Sequence, residues 1–337
     1  MLRTLLLLSL IISSLAAAFP VPKIEWAPKG YLCPRAGGEL NIDGVMDEAA
    51  WNRAPWTDPF VDIEGELKRA PHFLTRAKML WDDEYFYVAA YMEEPHLWAT
   101  YRERDSVIYH ENDFEVFIDP DGDNHEYYEL EINALGTEWD LFLGKPYRDG
   151  GPAIHGWDIA GLITAVALKG SINDPTDQDR CWTVEIAFPW KALAEAAHRD
   201  CPPKLGDRWR VNFSRVQWQL DVTPLGYSKR PGPGAKALPE NNWVWSPQGL
   251  IAMHYPEMWG FVEFAEDAGE FELRVADLTR WELCRLYYLQ KQSYEEAGAF
   301  LDSIEGAALH ITPSGFEIIA LDADGGEHHI DETGHLW

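Results

Sequence analysis

Apolar and polar residues alternate in short stretches through most of residues 38–265. In residues 113–118 and 127–133 the alternation has a period of two, and the turn-forming residues 120–123 lie between them. This pattern predicts a hairpin with one buried face. Further strands are predicted at residues 78–92, as a second hairpin, and at 162–168, 182–188, 209–217 and 259–264. Many short strands joined by turns are typical of an all-β fold, here a β-sandwich of the jelly-roll or immunoglobulin-like kind.

The periodicity changes after Glu266. Asp277 is a good helix cap, and the apolar side chains that follow it recur at helical spacing. Residues 316–321 and 330–337 are strand-like and are separated by a turn. We therefore expect a C-terminal helix plus a small hairpin at residues 266–337, appended to a sandwich at residues 38–265. A brief helix is predicted from Pro189, and the Pro- and Gly-rich residues 220–242 are predicted to form a long surface loop.

The first residues have the pattern of a secretory signal. Arg3 precedes an apolar run, and alanines fill positions 16–18. We interpret residues 1–18 as a cleaved signal peptide and residues 19–37 as an N-terminal extension, which predicts a secreted or periplasmic protein. The apolar run is shorter than the ~20 residues that a membrane-spanning helix needs, so no membrane span is expected.

Charge and cysteine content narrow the range of partners. The formal net charge of -28 would repel phosphate backbones, so nucleic acid is not an expected partner, and acidic polysaccharides are poor candidates unless a local basic patch exists.

The spacing of the four cysteines matches no zinc motif. In an exported chain they would allow up to two disulfides, with the pairing left open.

Four sequence blocks, in order, resemble carbohydrate-binding module family 9. They are residues 41–51 (NIDGVMDEAAW), 80–88 (LWDDEYFYV), 112–119 (NDFEVFID) and 182–190 (WTVEIAFPW). The resemblance implies a sandwich that binds sugar between two aromatic side chains, with polar and cationic groups on the hydroxyls and often with structural calcium. It also implies recognition of oligo- or polysaccharide, at chain ends, for polysaccharide degradation or uptake. Modules that it resembles are commonly joined to xylanases and similar hydrolases. No such catalytic domain is evident in this sequence, so we expect a secreted, stand-alone module that acts alone or beside separately encoded glycoside hydrolases.

The resemblance also places part of a sugar site on this sequence. The first aromatic platform falls on Tyr109, and the carboxylate of the following strand falls on Glu115. The polar pair of the next strand falls on Glu131 and Asn133. These four residues are the ligand-binding candidates with the clearest match.

The second aromatic platform and the cation are less directly placed. The family's second platform falls in the loop that contains His254 and Tyr255, where this sequence has no tryptophan, and Trp157 in the glycine-flanked loop 149–158 is a further candidate. The family's arginine is replaced by the acidic residue at position 131. Arg148 or Arg215 is therefore the candidate for the missing cation.

Alternating acidic residues indicate possible metal ligands. Asp119, Asp121 and Asp123 offer oxygen ligands at every second position, which suits calcium, although a plain hairpin turn is the alternative. The sequence does not fit a helix–loop–helix calcium loop. The resemblance also implies structural calcium elsewhere, with candidates at Asp43, Asp47 and Glu48.

Paired acids leave an enzymatic alternative open. Asp113 and Glu115, like Glu129 and Glu131, are two residues apart on one strand face, about 6.6 to 6.8 Å, within the ~6.5 to 9.5 Å spacing of inverting glycosidases. A glycoside hydrolase is therefore the alternative function. Alternating acids on a solvated strand are ordinary, and the sequence has no Gly-x-Ser-x-Gly, His-Glu-x-x-His or glycine-rich phosphate motif. Binding without catalysis is favoured.

A third hypothesis is haem binding. Sandwich domains related to this family hold haem through methionine with histidine or lysine. Met92, Met253 and His254 are the candidate ligands. The hypothesis requires that two of them lie on the same side of the sandwich.

Overall fold

A computed structural model describes residues 19–337, so the predicted signal peptide lies outside the described residues. The strands are β1 Gly30–Pro34, β2 Val61–Asp62, β3 Thr75–Trp81, β4 Tyr85–Glu93, β5 Asp113–Asp119, β6 Tyr127–Asn133, β7 Glu138–Leu143, β8 Ala153–Ile154, β9 Ile163–Lys169, β10 Cys181–Pro189, β11 Arg208–Gln217, β12 Leu220–Thr223, β13 Gly226–Lys229, β14 Asn241–Val244, β15 Gly260–Ala265, β16 Ala308–Ile311, β17 Phe316–Leu321 and β18 Glu327–Asp331. The α-helices are α1 Trp190–Leu193 and α2 Val275–Ala297.

Two sheets form a sandwich. The larger sheet has the order β1-β15-β11-β5-β6-β7-β8, with β14 beside β11 and β2 beside β14, and the smaller has the order β3-β4-β10-β9. Strand pairs are antiparallel except β1 with β15, which is parallel. The predicted all-β sandwich with a C-terminal appendage is confirmed.

The core lies between the two sheets. Alternate residues of β5 and β6, such as Phe114 and Leu130, meet residues of the smaller sheet, such as Val88 and Ile186, and none of these is accessible to solvent. The intervening residues of β5 and β6 face outward from the sandwich. The period-two alternation of the sequence thus separates an apolar core from an acidic outer face.

Glu185 on β10 joins two of the sequence blocks. Its carboxylate accepts the backbone N–H groups of Asp43 at 3.1 Å and Gly44 at 2.8 Å, and the indole N–H of Trp51 at 2.6 Å. Gly44 has a φ of +86°, and a Cβ there would lie 2.6 Å from the backbone of β9. The Asp-Gly pair is therefore a structural requirement, because only glycine fits this position.

Arg215 also lies between the sheets and forms a buried ion pair. Its guanidinium is 3.1 Å from the carboxylate of Glu94, and both side chains are at most 3% exposed. It also donates to the hydroxyl of Thr75 and the amide oxygen of Gln217. Arg215 is therefore directed away from the outer face, and it is wrong as a candidate cation for a sugar site there.

Strands also occur where the sequence did not predict them. β1 lies in the predicted N-terminal extension and completes the edge of the larger sheet. The predicted loop 220–242 contains the hairpin β12–β13 and the start of β14. The tail has a three-stranded sheet, β16-β17-β18, rather than a hairpin. In the range that the structure describes, no helix is both long and apolar enough to span a membrane.

The tail is docked on the sandwich. α2 packs on β17 and β18, and Tyr287, Phe316 and Ile330 form a second core that also includes Tyr255 from the sandwich. The N-terminal segment contributes as well, because the ring of Phe19 lies 5.8 Å from that of Tyr287. The tail and the first described residues thus cover part of the sandwich surface.

All four cysteines are free thiols in this structure. Cys33, Cys181 and Cys284 are buried, and Cys201 is half-buried. Burial raises the pKa of Cys33 well above its usual range and that of Cys284 to about 12, which disfavours the reactive thiolate. The two disulfides that the sequence would allow are not formed.

Candidate functional site

A cleft of about 370 Å³ opens on the outer face of the larger sheet. Its floor is formed by β5, β6 and β7, where Glu115 pairs with Glu131 across one strand boundary and Glu131 pairs with Trp139 across the next. Phe117 and Glu129 form a second directly paired position beside them. Paired residues share one face of a sheet, so three consecutive strands place these side chains together.

Two tyrosines lie at the cleft with their rings accessible. Tyr109 is 40% exposed and Tyr147 is 50% exposed. The ring of Tyr109 stacks on Trp139 at 6.3 Å and 26°, and Trp139 stacks in turn on His155 at 5.6 Å and 9°. Tyr147 meets the ring of His254 at 4.4 Å with an edge contact. Each exposed ring is thus supported from behind by another aromatic ring.

Four carboxyl groups concentrate negative charge at the floor. Oxygens of Asp113, Glu115 and Glu131 lie within 4.8 Å of one another, and among residues 19–337 no lysine or arginine lines the cleft. Burial raises the pKa of Glu115 to about 7. Burial, and then the neighbouring carboxylates, raise the pKa values of Asp113, Glu129 and Glu131 well above their usual range. The floor is therefore a mixture of proton donors and acceptors near neutral pH.

Glu131 also positions the first platform. Its Oε2 accepts the backbone N–H of Tyr109 at 2.9 Å. This hydrogen bond ties the short helical turn that carries Tyr109 to the floor of the cleft. The acidic residue at the place of the family's arginine therefore has a structural partner of its own.

His254 is a neutral side chain at the cleft wall. Burial, and then the charge of Arg148, lower its pKa to about 3. The hydroxyl of Tyr127 is 2.9 Å from its Nδ1, and the carboxylate of Glu129 is 3.9 Å from its Nε2. If Tyr127 donates to Nδ1, the ring proton lies on Nε2 and faces the acidic floor. His254 then offers a hydrogen-bond donor to a ligand.

The structure brings together four of the nine predicted ligand-binding residues. Tyr109, Glu115, Glu131 and His254 all line the cleft. The other five, which include Arg215, lie elsewhere, because their side chains are used in packing or in the hydrogen bonds of the fold.

Arg148 and Tyr255 are buried beneath the tail. The Arg148 guanidinium lies 2.9 Å from the carboxylate of Glu257 and 4.1 Å from the ring of Tyr255. Tyr255 is 2% exposed, and its hydroxyl donates to the carbonyl of Pro20. Neither side chain lines the cleft, because both are engaged in contacts with the N-terminal segment and with residues beneath the tail.

Asn133 and Trp157 are also structural. The Asn133 amide donates to the carbonyl of Tyr101 and accepts two backbone N–H groups of the turn between β6 and β7. Trp157 stacks on Tyr128 at 4.9 Å and donates its indole N–H to Glu195. Neither side chain lines the cleft, so the structure does not bring them together with the other candidates.

The structure separates Met92 from the other two candidate haem ligands. Met92 is fully buried between the two sheets. Met253 and His254 line the cleft on the outer face. The larger sheet lies between Met92 and the other two, so Met92 and His254 cannot bind one haem iron from its two sides.

The turn after β5 has the donor set of a calcium site. Oxygens of Asp119, Asp121 and Asp123 lie within 4.8 Å of one another. Oδ1 of Asp121 and Oδ1 of Asn124 are buried and have no hydrogen-bond partner. Orphaned buried oxygens beside two further carboxylates fit a hard cation with oxygen ligands.

The second predicted calcium segment lacks such a set. The Asp43 carboxylate accepts the N–H of Val45 and the amide of Asn41. In the part of the chain that the structure describes, Asp43, Asp47 and Glu48 do not form a group with ligand spacing. These residues shape the loop instead.

The sandwich and its cleft define the class: a β-sandwich binding module with an aromatic and carboxylate site on the outer face of its larger sheet. Residues 42–202, just under half of the chain, match the family model described as carbohydrate family 9 binding domain-like. The predicted resemblance is confirmed by this match. A comparison with curated proteins found no significant match.

Solved structures with a similar fold include two proteins. A Bacteroides uniformis protein assigned as carbohydrate-binding has 16% identity and a TM-score of 0.48, over 70% of this chain and 97% of that one. A family 9 module from Caldicellulosiruptor kristjanssonii has 15% identity and a TM-score of 0.44 in its cellotriose complex, over 73% and 98% of the chains. The glucose complex of that organism's family 9 module has 16% identity and a TM-score of 0.46, over 73% of this chain and 100% of that one. Such values assign neither a ligand nor a residue role to this chain.

Proposed function

We propose that this protein binds carbohydrate without cleaving it, and that the cleft takes the end of an oligo- or polysaccharide chain. The observation that carries the proposal is the pair of exposed, ring-supported tyrosines, Tyr109 and Tyr147, beside a carboxyl-rich floor. The match of residues 42–202 to a carbohydrate-binding family supports it independently.

The chemistry of the cleft suits a sugar ring. Tyrosine faces bury the C–H surface of a pyranose, and carboxyl groups pair with its hydroxyls, which would cost roughly 1 to 3 kcal/mol each if desolvated without a partner. Glu115 and Glu129 are the floor carboxyls available for this role, with His254 as a donor. A cleft of about 370 Å³ is at the small end of the ~300–1,000 Å³ typical of small-molecule sites, which favours a chain end.

The carboxyl pair of Glu115 and Glu131 is the feature that would favour hydrolysis. A retaining glycosidase needs one ionised carboxylate about 5 Å from a protonated acid. In this cleft burial raises the pKa of Glu115 to about 7 and that of Glu131 well above its usual range, so the pair alone does not separate a hydrolase from a binding site. The match of residues 42–202 to a carbohydrate-binding family favours binding.

The test is calorimetric titration with a panel of mono- and oligosaccharides that includes glucose and cellotriose, the ligands of the two Caldicellulosiruptor complexes. Losing either tyrosine should weaken binding by about 1 to 2 kcal/mol, or roughly 5- to 30-fold in Kd. Tyr109→Ala and Tyr147→Ala are compared with Tyr294→Ala, which removes an exposed tyrosine from α2 and should leave Kd unchanged.

The same mixtures are assayed for new reducing ends. Binding without new ends supports the proposal. New ends that disappear in Glu115→Gln would establish the hydrolase alternative. A protein that binds no sugar of the panel would contradict the proposed function.

Calcium at the turn after β5 forms part of the proposal. Asp119, Asp121 and Asp123 would hold it, and it would rigidify the end of the strand that carries Glu115. Saturation at one hundred times Kd should stabilise the fold by about 2.7 kcal/mol, measured as a higher unfolding temperature in CaCl₂ than in EDTA. Asp121→Asn should lose the shift and Asp324→Asn, at an exposed turn of the tail, should keep it. An equal shift in both variants would contradict the assignment.

We also include in the proposal a secreted or periplasmic location, and separately encoded glycoside hydrolases as functional partners. The signal-like pattern of residues 1–18 supports the location. The partner class follows from the proposed chain-end binding, because hydrolases generate such ends. Fractionation of the native host, with the purified protein then tested for co-binding with hydrolases on insoluble polysaccharide, addresses both.

A further inference from the structure

A second cavity, of about 490 Å³, lies where β11 meets the start of α2. It shares no lining residue with the cleft. Its lining includes more cationic than acidic side chains: six cations, Arg199, Lys204, Arg208, Arg210, Arg274 and Arg280, and four aspartates, Asp121, Asp200, Asp207 and Asp277. The chain has twice as many acidic residues as lysines and arginines, 56 against 28, so this concentration of cations runs against its overall charge.

Half of these cations have no carboxylate partner. Arg208 pairs with Glu263 at 2.7 Å and with Asp277 at 2.6 Å, and Lys204 and Arg274 also have acidic partners. Within residues 19–337, Arg199, Arg210 and Arg280 form no ion pair. Their guanidinium groups donate only to backbone carbonyls.

Arg210 is the most buried of the three. It is 7% exposed, lies 3.5 Å from the centre of the Phe261 ring, and donates to the carbonyl of Trp259 at 2.8 Å. Burial lowers the pKa of Arg210 to about 10; the charge of Asp277 acts against this shift and the charge of Arg280 adds to it. A buried cation without a counterion is costly, and a second cation nearby adds to that cost.

The start of α2 also contributes to the cavity. Ala276 and Asp277, in the first turn of this 23-residue helix, line it. The first turn of a helix carries a partial positive charge, and the carboxylate of Asp277 there accepts from Arg208 and from the backbone N–H of Arg274, so it does not pair with Arg210 or Arg280.

We propose that this cavity binds an oxoanion, which is a carboxylate, sulfate or phosphate group, between Arg210 and Arg280. Arginine binds such groups through two parallel N–H···O bonds, and it does so best where water is excluded. The overall negative charge makes acidic polymers poor partners for the surface as a whole, but this cavity is a local basic exception. The inference does not depend on sugar binding in the cleft.

The test compares the wild type with two variants of α2. Arg280→Gln removes one of the proposed ligands. Arg285→Gln is the matched control, because Arg285 is 58% exposed on the same helix and pairs with Glu282. Thermal unfolding and calorimetry are carried out with sodium sulfate, phosphate and glucuronate against sodium chloride at equal ionic strength, which separates specific binding from screening.

We expect saturable 1:1 binding to the wild type and to Arg285→Gln, and affinity at least tenfold weaker in Arg280→Gln. Tighter binding of glucuronate than of the inorganic ions would identify the ligand as an acidic group carried by a sugar. Tighter binding of sulfate or phosphate would identify it as a free inorganic ion. If Arg280→Gln does not fold, Arg280→Lys keeps the charge but removes the two-pronged contact, and it should still weaken binding several-fold. No saturable response to any of the three anions, or equal affinity in both variants, would overturn the proposal.

Discussion

Replacing Glu115 by glutamine should make the fold less sensitive to pH and more stable in weakly alkaline solution. The carboxyl group lies on the cleft floor with Asp113 and Glu131, and among the residues that the structure describes no lysine or arginine lines the cleft. Deprotonation of Glu115 therefore adds a negative charge to a buried site that already contains other carboxyl groups. Glutamine has nearly the same volume, keeps a hydrogen-bonding oxygen, and does not ionise.

The size of the stability change follows from the pKa of Glu115, which burial raises from 4.5 to about 7. Between these values the folded protein holds a proton that the unfolded chain has released, so stability is full below about 4.5 and falls as pH rises through about 7. At 1.36 kcal/mol per pKa unit, the loss assigned to this group is about 3 kcal/mol. The raised pKa values of the neighbouring acids act in the same direction.

Urea unfolding followed by tryptophan fluorescence, at about pH 5 and about pH 8, measures this difference. EDTA is present so that no divalent cation neutralises the floor. Between these two pH values the free energy of unfolding of the wild type should fall by about 3 kcal/mol more than that of Glu115→Gln. Glu66→Gln, at an exposed position outside the sandwich strands, should behave as the wild type. Equal pH dependence in both proteins, or a Glu115→Gln variant that is less stable at the higher pH, would refute the reasoning.

Three further substitutions separate folding from ligand binding. Trp157→Ala should leave sugar affinity unchanged in calorimetry, and a large loss of affinity would contradict the position of Trp157 outside the cleft. The variant loses the stacking contact with Tyr128, so its free energy of unfolding should fall by about 1 to 3 kcal/mol. Glu94→Ala leaves Arg215 unpaired between the sheets and should cost about 3 to 5 kcal/mol in urea unfolding. Arg148→Ala should cost a similar amount by leaving its buried carboxylate partners uncompensated, and a loss below about 1 kcal/mol would show that tail docking does not depend on it.

The alternation of β5 and β6 explains why part of the site could be predicted. When every second residue is apolar, the intervening residues must share the other face, and this placed Glu115 and Glu131 together. β1 was missed because it is an edge strand with a short Gly-Tyr-Leu-Cys-Pro sequence. It becomes a strand only by pairing with β15, a contact that local periodicity does not contain.

The misplaced site residues have a different cause. Arg148 and Tyr255 lie in loops, and the residues that bury them come from the N-terminal segment and α2, far away in sequence. Trp139 and Tyr147 were missed for the complementary reason. Trp139 continues the alternation on β7, so its face could have been inferred, but Tyr147 reaches the cleft through the course of a loop that no pattern specifies.

The parallel pairing of β1 with β15 has a consequence for folding during synthesis. Gly30 pairs with Phe261, so the first strand of the sandwich leaves the ribosome long before its only neighbour in the sheet. The floor strands β5, β6 and β7 follow one another directly and need only short loops to meet, whereas closing the β1 edge requires nearly the whole domain. A nascent or truncated chain that ends before β15 would leave β1 without its partner and residues 208–211 of β11 unpaired on one side, and such unpaired edges are the typical starting points of aggregation.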